Sequence, residues 1–344
     1  MKRLVAFWSR ASISRSASAP TSGCSTFSKR RRRSSFCTTT ARSTGRRPIS
    51  TGRPIAARSW TSVRSTKRGR EASMKIIQLS DLHLTLPGVE LRGLDPERRL
   101  RDCLVDIEAC HRDAVAMVVS GDLTEAGDPL AYRLLRDVLS DYRLPPTYLA
   151  IGNHDDRRNF ARAFPLSVDD ETGFAHCSFS LGDHLGLVLD TWEAGTHAGR
   201  LCSRRLAWLH GQLESAARPV LVFAHHAPFK IGLKRLDQMI LDNGDELWST
   251  IDPFRDRIRH LFFGHMHRTL SGNWRGVPFS VAPSTVHHGL LEFDSDRIRS
   301  AIVDPFYSVI LVQDGNVIVH TKQLVEHWTI YDPKPSAAAP VPAL

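Results

Sequence analysis

The chain has 344 residues, 42% of them hydrophobic, so it is long enough for one large domain or two small ones. Its net charge is +10, but residues 1–73 carry 18 Lys and Arg and one acidic residue, a charge of +17, which leaves −7 for the remainder. An acidic body has no electrostatic attraction for nucleic acid, so no nucleic-acid partner is expected for the folded part. No apolar run approaches the ~20 residues of a membrane span.

The leader, residues 1–73, is rich in Arg and Ser and lacks hydrophobic periodicity. This composition is typical of a disordered chain. Two alternatives are an organellar targeting peptide, which is also rich in Arg and Ser, and a natural start at Met74, directly before the first strand. We expect disorder or a start at Met74, then a folded domain over residues 74–328 and a Pro- and Ala-rich tail over residues 329–344.

The cysteines are few and scattered, and the sequence contains no CxxC motif. A disulfide framework is therefore not expected, and reduced thiols indicate a cytoplasmic protein. Cys103 and Cys110 are seven residues apart in a helical pattern, which predicts that both face the core as small hydrophobic side chains.

Beyond Met74, predicted strands alternate with predicted helices. Asp95 and Pro96 are expected to begin one helix as its N-cap and first residue, and Ser203 is expected to cap another. The last third of the chain is expected to be β-structure, with a hairpin turn at residues 314–316. The expected strands are 76–79, 117–119, 148–151, 174–181, 185–189, 220–223, 261–263, 277–281, 307–312 and 317–321. Apolar strands separated by helices favour a layered α/β fold.

Five of these strands end in polar clusters. The clusters are Asp81-Leu82-His83, Gly121-Asp122, Gly152-Asn153-His154-Asp155, His225-His226 and Gly264-His265-Met266-His267. In an extended chain Asp81 and His83 would point the same way. Because ligands bind at the carboxyl ends of strands in such sheets, five clusters in this one place predict a common site.

The cluster side chains are suited to binding metal ions. The candidate ligands are Asp81, His83, Asp122, Asn153, His225, His265 and His267. Carboxylates and imidazoles suit Zn, Mn, Fe or Co, and seven ligands suit two ions that share a bridge, for which Asp122 has two oxygens. Two ions about 4 Å apart can clamp an in-line displacement at phosphorus, and a water bound to them is acidic enough to supply hydroxide near neutral pH.

In their order and spacing the five clusters resemble the blocks of the calcineurin-like metallophosphoesterase superfamily, over roughly residues 74–324. The resemblance implies a four-layer α-β-β-α sandwich, and it allows a homo-oligomer. It implies one metal on Asp81, His83, Asp122 and His267, and a second on Asp122, Asn153, His225 and His265. It also implies that His154 lies near the leaving-group oxygen and donates a hydrogen bond or a proton to it.

Two acidic residues beside the ligands are further candidates. Glu125 could orient His154, although the Ser/Thr protein phosphatases have GDxxDRG here, with an Asp in place of this Glu and an Arg that this chain lacks. Asp155, at the end of its cluster, is a candidate for contact with the substrate or with a ligand.

The roles of the remaining histidines are less closely defined by the sequence. His225 and His226 are adjacent and should face opposite ways, so we expect only His225 to be a ligand, with His226 either lining the pocket or solvated. His287 either reaches the phosphate or is an ordinary loop histidine. Six further histidines are interpreted as surface or packing residues: His176, His184, His197, His210, His260 and His320.

A second resemblance concerns the branch of the superfamily. Gly199 and the segments 276–278 and 282–287 resemble class III cyclic-nucleotide phosphodiesterases and their glycerophosphodiesterase relatives. This implies a small phosphodiester substrate, a cyclic nucleotide such as 3′,5′-cAMP first and a glycerophosphodiester second. The competing hypotheses are a phosphomonoesterase, a nuclease or nucleotidase, and a non-catalytic scaffold. Segment 227–250 is expected to be a cap that selects the substrate, the alternative being a surface loop with a short helix.

Overall fold

The computed structural model describes residues 73–325, which form two large β-sheets, a short two-stranded ladder and five α-helices. The predicted leader, apart from its last residue, and the predicted tail lie outside the described residues. The helices are α1 (Pro96–Cys110), α2 (Pro129–Ser140), α3 (Arg157–Ala163), α4 (Ser203–Ser215) and α5 (Gly244–Ile251). The strands are β1 (Met74–Leu79), β2 (Ala116–Ser120), β3 (Thr147–Ala150), β4 (Cys177–Leu181), β5 (His184–Val188), β6 (Val220–Phe223), β7 (Ile258–Phe263), β8 (Leu270–Trp274), β9 (Val277–Val281), β10 (His288–Gly289), β11 (Ser300–Ala301), β12 (Phe306–Gln313) and β13 (Asn316–Gln323).

The first sheet has the strand order β13-β12-β1-β2-β3. Strands β1, β2 and β3 are parallel, and the β12–β13 hairpin adds to β1 in the antiparallel sense. The outer face is covered by the apolar stripes of α1 and α2, including Leu100, Leu104, Tyr132 and Leu135. Parallel strands need such crossover helices, which explains why strand and helix alternate along this part of the chain.

The second sheet has the order β4-β5-β6-β7-β9-β8. Its four central strands are parallel, and the two edge strands, β4 and β8, are antiparallel to their neighbours. The outer face packs against α4 and α5 through Leu209, Leu213, Leu247 and Ile251.

The inner faces of the two sheets pack against each other. One hydrophobic cluster combines Ile76 and Val118 of the first sheet with Leu221, Phe223 and Phe262 of the second. The rings of Phe223 and Phe262 stack with their centroids 4.6 Å apart. The layers therefore run helix, sheet, sheet, helix, which confirms the predicted α-β-β-α sandwich.

Of the two predicted helix starts, one is confirmed and the other is wrong. Asp95 accepts a hydrogen bond from the backbone N–H of Arg98 and caps α1, as predicted. Ser203 is the first residue of α4 and not its cap, which is Cys202, and no side chain caps this helix. Strand β8 was not predicted, because its sequence Leu-Ser-Gly-Asn-Trp has only two large apolar residues, as an exposed edge strand allows.

The two helix cysteines differ in burial. Cys103 is buried, as predicted, but Cys110 is exposed and its Sγ lies 3.6 Å from the Asp106 carboxylate. Cys110 is the last residue of α1, beyond Ile107, which is the last buried residue of the helix. Within residues 73–325 no helix is both long and apolar enough to cross a membrane.

Candidate metal centre and active site

The loops after β1, β2 and β7 carry an unusual backbone conformation. Five of the seven candidate ligands have positive φ angles: Asp81 (54°), His83 (47°), Asp122 (48°), His265 (70°) and His267 (51°). Non-glycine residues rarely adopt this conformation, and those that do concentrate at functional sites. The prediction that Asp81 and His83 converge because the chain is extended is therefore wrong. Left-handed turns bring them together, and backbone hydrogen bonds to Gly121 and Asp122 hold the loop.

Glycines before the ligands allow the loops to approach closely. A Cβ on Gly152 would lie 2.6 Å from Nε2 of His225 and would also collide with the Asp122 carboxylate. A Cβ on Gly121, whose φ is 104°, would collide with the His225 ring. These glycines therefore permit contact between ligands from different strands.

Four of the candidate ligands lie close together and form the first group. Asp81, His83, Asp122 and His267 each offer an atom within 4.8 Å of the others, which is the set predicted for the first metal. Nε2 of His83 lies 3.0 Å from Nε2 of His267 and 3.7 Å from Oδ2 of Asp122. Nε2 of His267 lies 3.3 Å from Oδ1 of Asp81.

The tautomers of this group fit a metal ion. Nδ1 of His83 lies 2.7 Å from Oε2 of Glu125, and Nδ1 of His267 lies 3.3 Å from the carbonyl oxygen of His287. Both partners are acceptors, so each Nδ1 carries the proton and the two Nε2 lone pairs face each other at 3.0 Å. A metal ion held by these two histidines would remove this repulsion, and an acceptor behind each imidazole is the usual surrounding of a metal-ligating histidine.

The second group consists of the ligands predicted for the second metal, and it is less compact than the first. Its members are Asp122, Asn153, His225 and His265. Nδ1 of His225 donates to the carbonyl oxygen of Ser120, and its Nε2 faces Oδ2 of Asp122 at 3.3 Å and Oδ1 of Asn153 at 3.2 Å. Nε2 of His265 is buried without a hydrogen-bond partner among the described residues. A buried nitrogen without a partner is costly, so its lone pair fits a metal ion. Oδ2 of Asp122 lies near both His83 and His225, between the two groups.

His226 lies beside the second group, contrary to the opposite-faces argument. Its ring is fully buried, with its centroid 4.8 Å from those of His225 and His265. The argument fails because β6 ends at Phe223, so the two histidines are not in a strand. The solvated alternative is wrong, and His226 does not line the cavity either, but its ring offers an atom within 4.8 Å of ligand atoms on His225 and His265. Both ring nitrogens of His226 have protein partners, Oγ1 of Thr191 and the carbonyl oxygen of His197.

His154 and Glu125 do not meet in the way expected. Nδ1 of His154 donates to the backbone carbonyl of Glu125 at 2.9 Å, and the Glu125 carboxylate is 3.6 Å away. That carboxylate instead binds His83. His154 is therefore held by a main-chain group, which leaves its Nε2 for the cavity.

Asp155 is a structural link between two site loops. Its buried carboxylate accepts hydrogen bonds from the backbone N–H groups of Leu123 and Gly152 and from the hydroxyl of Tyr132. It does not line the cavity above the ligands, so the structure gives it no contact surface for the substrate. Burial, together with the nearby charge of Asp122, raises the pKa of Asp155 to about 6.

The electrostatics of the site centre on Asp122. Burial disfavours a charged His225, but the Asp122 carboxylate outweighs it and raises the pKa of His225 to about 9. Burial, with the charge of His225, lowers the pKa of His265 to about 3. Neighbouring groups with pKa values pushed apart in this way are typical of a functional site.

A cavity of about 250 Å³ lies above the ligands. His287 lines it, with its ring centroid 4.4 Å from that of His267, so His287 belongs to the site. His197 also lines it, and its Nδ1 lies 3.0 Å from Nδ2 of Asn153. Sequence reasoning missed His197 because it follows no strand and stands in no cluster. Leu236 and Met239 of segment 227–250 form part of the cavity wall.

Known proteins share this sequence pattern and this fold. Residues 74–269 match the family described as calcineurin-like phosphoesterase. Over 252 residues the chain is 36% identical to a probable cyclic nucleotide phosphodiesterase of Rhodopseudomonas palustris, covering 72% of this chain and 91% of the relative. Over 263 residues it is 28% identical to the glycerophosphodiester phosphodiesterase GpdQ of Enterobacter lignolyticus, covering 75% of this chain and 90% of the relative.

A solved structure supports the fold independently. A dimetal phosphatase from Danio rerio superposes with a TM-score of 0.56 at 12% sequence identity, covering 74% of this chain and 97% of that chain. At this identity the likeness shows the fold alone. The sequence match carries the family assignment, and it confirms the predicted resemblance. The chain belongs to the calcineurin-like phosphoesterase family.

Proposed function

We propose that the protein is a binuclear metal-dependent phosphodiesterase that hydrolyses a small phosphodiester, with a 3′,5′-cyclic nucleotide as the first candidate and a glycerophosphodiester as the second. The observation that carries this proposal is the position of Asp122, whose Oδ2 lies between His83 and His225 in the floor of a cavity. The names of both sequence relatives support a diester over a monoester.

The proposal assigns the ligands to two transition-metal ions, drawn from Fe, Mn, Zn and Co. Asp81, His83, Asp122 and His267, whose ligand atoms lie together, would hold the first ion, and Asp122, Asn153, His225 and His265 would hold the second. When bound, the ions neutralise the phosphate oxygens and acidify a water for attack at phosphorus.

The protein's own groups then have defined tasks. Hydrolysis adds the oxygen of one water to phosphorus and breaks one ester P–O bond, and the departing alcohol oxygen needs a proton. His154 is placed to supply that proton from Nε2, since its Nδ1 is held by the carbonyl of Glu125 and its ring lines the cavity. Glu125 and the carbonyl of His287 keep the rings of His83 and His267 in the orientation that ligation needs.

The test is a substrate panel on the full chain with added Mn²⁺. We expect bis-p-nitrophenyl phosphate to be hydrolysed faster than p-nitrophenyl phosphate, and turnover of 3′,5′-cyclic nucleotides to exceed that of 2′,3′-cyclic nucleotides and glycerophosphodiesters. A preference for the monoester would support a phosphomonoesterase and overturn the proposal. Purified protein without bound metal and without turnover would support a scaffold.

We also propose that the protein works in a reducing compartment such as the cytoplasm. The four cysteines in the described part of the chain, Cys103, Cys110, Cys177 and Cys202, are all free thiols. Such usage is typical of proteins kept reduced. Alkylation of the denatured protein as isolated, followed by mass spectrometry, should find these thiols unpaired.

A further inference from the structure

We infer that the cavity above the metal ligands holds the non-reacting part of the substrate between two aliphatic walls, and that it selects a nucleobase over a cationic alcohol such as choline. This inference rests on the proposed phosphodiesterase function. It names the side chains that decide between the two candidate substrates.

The first wall of the cavity is aliphatic and comes from segment 227–250. Leu233, Leu236 and Met239 line it, and the two leucines are almost fully buried against the second sheet. This wall is therefore a rigid extension of the core.

The second wall comes from an arm, residues 288–301, whose ends pair as β10 and β11. Leu290 and Ile298 of the arm line the cavity although they are 38% and 47% exposed. Leu290 and Glu292 line the cavity while Leu291 and Phe293 do not, so alternate side chains share the inner face. Exposed aliphatic side chains gathered on a concave surface mark a site for an apolar ligand.

The two walls are tied to each other. The backbone N–H of Lys234 donates to the carbonyl of Phe293 at 3.3 Å, and its Nζ lies 2.6 Å from the Asp296 carboxylate. The arm itself is closed by a hydrogen bond from Leu290 N–H to the carbonyl of Arg299. The gap between the walls is therefore set before a ligand enters, as a flat ring requires.

The charges of the cavity disfavour a cation. Its lining holds four arginines, Arg92, Arg235, Arg297 and Arg299, and three carboxylates, Asp122, Glu125 and Glu292. Both glutamates already have partners, His83 and Arg299. The lining residues in the described part of the chain include no Phe, Tyr or Trp, the side chains whose faces bind a quaternary ammonium group best. A neutral nucleobase meets neither obstacle.

The experiment compares Leu290→Ser with Leu291→Ser in the full chain with Mn²⁺. The two residues are neighbours, both exposed, and only Leu290 faces the cavity. For Leu290→Ser, and equally for Ile298→Ser, we expect KM for 3′,5′-cAMP to rise about fivefold to tenfold with kcat little changed, because uniform binding is lost. Leu291→Ser should keep the wild-type KM. Calorimetry with 5′-AMP should show the same ranking of Kd.

The outcomes separate the inference from the proposed function. Wild-type kcat/KM for 3′,5′-cAMP should exceed that for glycerophosphocholine at least tenfold. If the wild type hydrolyses diesters but prefers glycerophosphocholine, or if Leu290→Ser behaves like Leu291→Ser, the inference is overturned and the phosphodiesterase proposal stands. If the wild type hydrolyses no diester, the proposed function itself fails. Equal melting temperatures of the two serine variants would exclude a folding defect.

Discussion

At the scale of single residues, the two oxygens of Asp122 have different partners. Oδ1 accepts a hydrogen bond from the backbone N–H of His154 at 2.9 Å, and Oδ2 faces His83 and His225. One side chain thus positions the proposed proton donor and lies between the two ligand groups. Its carboxylate is buried among histidines, which together outweigh burial and hold its pKa well below the ordinary value.

The variant Asp122→Ala tests the proposed bridge. We expect kcat/KM to fall about a thousandfold or more, because metal binding and the position of His154 are lost together. The fold should persist, since the site lies in loops at the strand ends and not between the sheets. Kinetics with metal analysis and circular dichroism measure both effects. Turnover like that of the wild type would refute the assignment.

Glu125→Gln tests whether the carboxylate supports His83. The amide keeps the size of the side chain but loses the charge that holds Nδ1–H of His83, so metal affinity should fall about 10- to 100-fold. Titration of the metal-free variant with Mn²⁺ measures this without turnover. Glu90→Gln, at an exposed position outside the cavity, is the matched control. Equal affinity in both variants would assign Glu125 no part in metal binding.

His260 supplies a pH-dependent contribution to stability away from the ligands. It is buried on β7, Nε2 lies 3.0 Å from Oγ of Ser280, and burial lowers its pKa to about 4. The unfolded chain binds this proton near pH 6.5, so the folded state loses stability as pH falls from 6.5 towards 4. The full effect is about 3 kcal/mol. Urea unfolding at pH 7 and pH 5 should show a smaller difference for His260→Gln than for the wild type.

At the scale of elements, sequence patterns predicted most strands and the main helices because their apolar periodicity is local. The β12–β13 hairpin shows this most directly. Gln313 pairs with Asn316, and the two residues between them, Asp314 and Gly315, both have positive φ angles of 50° and 76°. Asp-Gly is the pair that a two-residue turn of this kind requires. The local turn chemistry therefore fits the register of the eight residue pairs in this hairpin.

Gly315→Val should destabilise the protein by about 1–2 kcal/mol, because a β-branched residue is strained at φ near 76°. Asp314→Asn is the control and should change stability little, since Asn tolerates the same backbone conformation. Urea denaturation measures both. If the two variants lost equal stability, the backbone explanation would be wrong.

At the scale of the whole molecule, the site joins the two sheets. Asp81, His83, Asp122 and Asn153 follow strands of the first sheet, whereas His225, His265 and His267 follow strands of the second. The β9 loop adds a further tie, because Oγ of Ser284 donates to the carbonyl of Asp81. Metal ions bound to both sets would cross-link the sandwich at the edge where its sheets meet.

Metal binding should therefore raise thermal stability. At a free Mn²⁺ concentration about 100 times the Kd, the expected gain is about 2.7 kcal/mol, a rise in Tm of about 5–10 °C. Differential scanning calorimetry with Mn²⁺ and with EDTA measures it. Asp122→Ala should lose most of the gain, while Leu166→Ser, at a fully exposed position, should keep it. If neither Mn²⁺ nor EDTA changed the Tm, the result would argue against ions shared by the two sheets.

The sequence alone determined the order of strands and helices and the residue types at the strand ends, because apolar periodicity and turn chemistry are local. It therefore sufficed to identify the family. Only the tertiary structure decided that left-handed turns bring Asp81 and His83 together, that Glu125 binds His83, and that His226 is buried. It also placed His197 and the aliphatic arm at the cavity. These features depend on loops from two sheets meeting at one edge, and residues far apart in the chain leave no local pattern from which such a meeting can be predicted.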